Sequence, residues 1–196
     1  MNTIRKVSAL VSVLATLAFA TSASATTSTY TFGNVLSGTG PNTNFATLTI
    51  DDVTNEFNFT PAVDLSIFGT GAFIGSMAVN YSGAVVDAVR LAGGVSEVDI
   101  SPGGGPGGLA DFRYVFGKGS DKLIDGETLK WSSTDFDLSK LSGLALHVQG
   151  ISQEGFSNSI WYSPTAAVPE PETYAMMLAG LGFMGFISRR RRNEQA

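Results

Sequence analysis

The stretch Asn44-Phe45-Ala46-Thr47-Leu48-Thr49-Ile50-Asp51-Asp52-Val53-Thr54-Asn55-Glu56-Phe57-Asn58-Phe59-Thr60 decides the fold class. Ala46, Leu48 and Ile50 alternate with Thr47 and Thr49, and the same two-residue period resumes at Phe57 and Phe59 after a polar stretch at 51–55. Successive side chains of a strand point to opposite faces, so this pattern predicts an antiparallel hairpin with one apolar and one wet face. The period recurs downstream. Phe73, Gly75, Met77, Val79 and Tyr81 form one such run, and Phe112, Tyr114 and Phe116 another. Further strands are expected within 84–91, 95–100, 128–132, 141–151 and 158–162, with one helical turn at 135–140.

Between these runs the chain is punctuated by glycine. Of 23 glycines, 20 fall in residues 26–168, and the segment Ser101-Pro102-Gly103-Gly104-Gly105-Pro106-Gly107-Gly108 excludes a helix or a central strand. It is expected to be a flexible loop. No segment sustains a helical period. The pattern predicts an all-β domain, a two-sheet antiparallel β-sandwich of jelly-roll type, with a closed barrel as the next alternative. The expected core includes Leu48, Phe59, Val79, Phe112, Tyr114 and Leu146.

Both ends of the chain read differently. Arg5 and Lys6, the apolar run from Val7 to Ala20 and the small residues Ala23 and Ala25 predict a signal peptide at 1–25, cleaved to leave Thr26. Residues 26–164 then form the β-domain and 165–196 a linker with a terminal segment. That segment has three parts: Pro169-Glu170-Pro171, an uncharged run at 174–187, and Arg189, Arg190, Arg191 and Arg192. The prolines favour an extended backbone. As a helix the run is roughly 21 Å long, short for a hydrocarbon core of about 30 Å, and the arginines would snorkel to the cytoplasmic side.

In order, position and spacing this arrangement is similar to the PEP-CTERM sorting signal. The resemblance implies a Gram-negative host, transient anchoring in the inner membrane through 174–187 and processing by exosortase near Pro169–Pro171. It further implies release to the cell surface or extracellular space, in association with exopolysaccharide and biofilm. Mature domains of such proteins vary widely, and the resemblance does not reach into residues 26–164.

Composition limits what that domain does. Six basic residues stand against 14 carboxylates in 26–168, a net charge of −8, where the whole chain carries −5. This balance speaks against nucleic acid as a partner. There is no cysteine, hence no disulfide, thiolate zinc site or thiol nucleophile. The one histidine, His147, lies opposite Leu146 and Val148 in phase and is expected on the wetter face, with no identifiable serine and acid partners. Asp121 and Asp125, in a glycine-bounded loop, are candidate calcium ligands, against the plainer role of capping their own turns. Trp131 and Trp161 are candidate glycan contacts, against the plainer role of core residues. No cofactor is expected. The leading expectation is a non-enzymatic surface or matrix protein, followed by a lectin-like module and then a secreted hydrolase using an unidentified carboxylate pair.

Overall fold

The computed structural model describes residues 27–60, 62–84, 87–108 and 110–165. The expected signal peptide, the apolar run at 174–187 and the arginine cluster lie outside them. Among the described residues no helix is long and apolar enough to cross a membrane.

The opening hairpin forms as its alternation requires. Strand β2 (Ala46–Asp51) pairs with β3 (Glu56–Phe59), and Leu48, Ile50, Phe57 and Phe59 are all buried on one face. Its turn is built by Asp51, whose carboxylate accepts the backbone N–H groups of Val53 and Thr54, both at 2.9 Å. Asn55 takes a left-handed backbone with φ of 55°, a conformation asparagine tolerates better than most residues.

The remaining strands are β1 (Thr27–Ser37), β4 (Phe73–Tyr81), β5 (Val89–Gly93), β6 (Val98–Pro102), β7 (Phe112–Phe116), β8 (Leu123–Ile124), β9 (Leu129–Ser132), β10 (Leu141–Gln149) and β11 (Ser159–Thr165). Every pairing is antiparallel, and the strands join in one sheet ordered β5-β9-β3-β2-β1-β11-β10-β4-β7-β6, with β8 on β4. The two ends of this order, β5 and β6, are consecutive in the chain and approach each other, so the sheet is nearly closed.

The class is therefore all-β as expected, but the pairing corrects the two-sheet sandwich toward the barrel alternative. The reason is β1, whose 11 residues carry no clear alternation and were not expected as a strand. It pairs with β2 along one edge and β11 along the other, bridging what would otherwise be two sheets. Register shifts within the β1–β11 and β10–β4 ladders mark bulges, which bend strands and let a sheet curl.

The enclosed core is aromatic. Trp131, Tyr114, Tyr162, Phe32, Phe57, Phe59 and Phe68 are fully buried, and all six residues of the expected core are buried. The Trp131 and Phe57 rings stack with centroids 5.0 Å apart, and Phe136 meets Phe57 edge-on at 4.8 Å. Buried side chains of the described residues thus fill the interior of the barrel.

The glycine-rich segment is an ordered feature. Within the β6–β7 connection Gly103 N–H donates to the Asp111 carbonyl at 2.8 Å and Ala110 N–H to the Gly104 carbonyl at 3.0 Å. Gly104 has φ of 101°, and a side chain there would also collide with Arg113, so only glycine lets the loop lie down on the outside of the barrel.

Candidate functional site

With the interior filled, chemistry is left to the outer wall and the loops. Alternation places Ile160 and Tyr162 of β11 in the core and turns Trp161 outward. On β10 the same rule buries Leu146 and Val148 and turns His147 outward. The register sets Trp161 directly opposite His147. Their rings stack face to face, centroids 4.2 Å apart and only 3° from parallel.

The row continues across the barrel. His147 pairs with Ser76 of β4, Ser76 with Val115 of β7 and Val115 with Asp99 of β6. One rung along the strands a second outward row runs Ala145, Ala78, Arg113 and Ser101. Arg113 is half-buried. One terminal nitrogen of its guanidinium donates to Ser101 Oγ at 3.2 Å, while its Nε is buried with no hydrogen-bond partner. Among the described residues no carboxylate pairs with it. Asp99 is held by Lys118 at 2.8 Å, and Asp111 accepts the Tyr81 N–H at 2.6 Å.

Burial, with a smaller contribution from the nearby Arg113 charge, pushes the His147 pKa down to about 4. The imidazole is therefore neutral at neutral pH and stacks on Trp161 as an uncharged ring. It makes no hydrogen bond to a described hydroxyl or carboxylate, so no nucleophile and base are brought together here.

Beside Arg113 a cleft of about 140 Å³ opens on the outer wall. Ala78, Ala145 and Gly143 form its floor, Pro106 and Ala110 of the glycine-rich loop one side, and Leu36 of β1 the other.

The expected site residues separate. Trp131 is 0% exposed and sandwiched among aromatic rings, which corrects its expected glycan contact: nothing of it remains for a ligand to touch. Trp161, its companion candidate, is on the surface. Asp121 accepts from the N–H of Ser96 at 2.8 Å and from its hydroxyl, and these bonds hold its pKa below the usual carboxylate value. Asp125 accepts the Leu65 N–H at 2.5 Å. The two carboxylates thus tie down different loops, and among the described residues no three His, Asp or Glu side chains gather as a metal ion would need. Arg113 was not anticipated as a site residue. Its signal is visible in the sequence only as a basic residue between the inward Phe112 and Tyr114.

A family model described as the PEP-CTERM protein-sorting motif matches residues 167–192. The chain carries a PEP-CTERM sorting motif. Such a motif is a substrate signal recognised by exosortase, and it implies export and passage through the membrane before surface display. Pro169, Glu170, Pro171 and Arg189 to Arg192 all fall inside the match. The motif begins two residues after β11 ends at Thr165, so the barrel is followed almost at once by its sorting signal. No curated protein and no solved structure matches the chain.

Proposed function

We propose that this is a non-enzymatic surface or matrix protein of a Gram-negative bacterium, exported through a signal peptide at 1–25 and delivered by exosortase to the exopolysaccharide layer. The sorting motif at 167–192 carries this reading. A barrel filled with aromatic side chains supports a structural role, because rigidity is what such a core supplies. His147, stacked on Trp161 and without a hydroxyl or acid partner among the described residues, supports the non-enzymatic part.

One observation favours a second reading, that the same domain binds saccharide: a partly exposed indole on the outer wall, stacked on His147, of the kind sugar rings pack against.

The sorting half is tested by replacing Pro169, Glu170 and Pro171 with alanine in an exosortase-containing host and fractionating cells. The wild-type protein is expected in the polysaccharide matrix and the variant in the inner membrane. Identical distributions of the two would refute exosortase delivery, and a wild-type protein missing from the matrix would refute the matrix role.

A further inference from the structure

The outer wall brings together three things that no single strand specifies. One is the stacked Trp161–His147 pair. The second is Arg113, which among the described residues has no carboxylate partner and keeps a buried Nε without a hydrogen bond. The third is a cleft floored by alanine methyl groups in the same register row as Arg113. Adjacent rows lie about 7 Å apart along the strands and neighbouring strands about 4.8 Å apart. The three features therefore fit within the footprint of a short saccharide.

Arg113 is the anomaly that needs an explanation. Lys118, Lys130 and Lys140 all sit within 3.4 Å of a carboxylate. Among the described residues Arg113 does not, in a domain with net charge −8 and abundant carboxylates to pair with. Arg90 and Lys122 also lack a carboxylate there, but Arg90 donates to the Gly93 carbonyl at 2.7 Å and Lys122 lies over the Phe73 ring, whereas Arg113 keeps a buried Nε without a hydrogen-bond partner. A half-buried guanidinium left without an anion lacks the bidentate partner its planar fork suits best. One guanidinium matches one carboxylate. A free phosphate or sulfate dianion would bring more charge than this one guanidinium balances.

We propose that the outer face of β11, β10, β4 and β7 binds an acidic saccharide, a uronate residue within a polysaccharide. One sugar ring lies over Ala78 and Ala145 with its carboxylate on the Arg113 guanidinium, and a neighbouring ring of the same saccharide sets its C–H face against the stacked Trp161–His147 pair, since β7 and β11 are three strands apart. Asn80, which lines the cleft, and the neutral imidazole of His147 are positioned for ring hydroxyls. The domain's negative charge opposes approach of a polyuronate at long range, so binding strengthens as salt screens that repulsion, up to the point where the Arg113 contact itself is screened. This assignment rests on the saccharide-binding reading above.

The test uses the purified full chain in detergent, titrated with oligogalacturonate and, as the neutral control, maltooligosaccharide. Binding is read by calorimetry and by tryptophan fluorescence, to which the outward Trp161 reports and the buried Trp131 does not. Saturable binding of oligogalacturonate is expected, at least tenfold tighter than the neutral sugar. Arg113→Gln is expected to weaken it at least tenfold and Trp161→Ala likewise, with Arg113→Lys intermediate. Near-ultraviolet circular dichroism of each variant shows that the barrel is intact. Absence of saturable binding, equal affinity for the neutral sugar, or unchanged affinity in a folded Arg113→Gln variant overturns the proposal. None of these outcomes bears on cell fractionation, so delivery to the matrix and ligand class stand or fall separately.

Discussion

Replacing Phe57 with alanine tests whether the aromatic core holds the barrel together. Phe57 is 0% exposed and touches three rings: Trp131 stacked at 5.0 Å, Phe136 edge-on at 4.8 Å and Tyr114 tilted at 5.3 Å. Truncating a buried phenylalanine costs about 3 to 5 kcal/mol through lost transfer energy and the cavity left behind. Each aromatic pair contributes roughly 0.5 to 1.5 kcal/mol beyond area burial. With three pairs lost together, Phe57→Ala belongs at the top of that range, near 5 kcal/mol. Since a domain of this kind is stable by about 5 to 15 kcal/mol, the variant stands close to the unfolding threshold. Urea unfolding of the full chain in detergent, followed by near-ultraviolet circular dichroism, measures the loss. For an m-value of about 2 kcal/mol/M the midpoint falls by roughly 2.5 M with the slope unchanged. Phe57→Leu keeps most of the volume but also loses the three ring contacts, costs about 2 to 3 kcal/mol and remains measurable if the alanine variant does not fold. Trp161→Ala, on the outer wall, costs no more than about 1.5 kcal/mol, the worth of its one stacked partner. A Phe57→Ala loss below about 1 kcal/mol, or a Trp161→Ala loss exceeding it, would refute the assignment of inside and outside.

Acid sensitivity follows from His147. Its folded pKa is about 4 against 6.5 unfolded, so the unfolded chain takes up the proton first as pH falls. Stability is complete above pH 6.5 and declines toward pH 4. The full shift corresponds to roughly 3 kcal/mol, reduced to about 1 to 2 for a half-exposed ring. Asp51, Asp64, Asp121 and Asp137 have lowered pKa values, so the stability they contribute is present above the usual carboxylate pKa of 3.8 and is lost only below it. His147→Gln should therefore flatten the dependence between pH 6.5 and 4.5 in urea midpoints, and an unchanged slope would reject it. A third expectation concerns the strand at one end of the sheet order. Gly93 has φ of 113°, and a Cβ there would press on the Thr128 carbonyl and Leu129 Cα, so Gly93→Ala costs about 1 to 3 kcal/mol. Faster amide exchange should appear first in β5 and β9, and uniform protection equal to wild type would contradict it.

What the sequence determined by itself is what depends on near neighbours. The two-residue period at 44–60 sets the facing of β2 and β3, and the same rule placed Phe112, Tyr114 and Leu146 inside before any partner strand was known. It also turns Trp161 away from Ile160 and Tyr162, so the outward tryptophan was legible once that strand was taken strictly. The sorting signal needs no fold to be read, since composition and order define it. The tertiary structure decided what depends on pairing. β1, rich in threonine and serine, has no pattern to announce it, yet it joins β2 to β11 and makes one nearly closed sheet of the chain. Trp131 and Trp161 are alike in type, and only the enclosure of one face separated a core residue from a surface one. Arg113, His147 and Trp161 lie far apart in the chain and meet because β7, β4, β10 and β11 are neighbours in the sheet. Alternation is a property of adjacent residues, whereas strand order is chosen by which long-range closure buries the most apolar surface, and that choice is made by the chain as a whole.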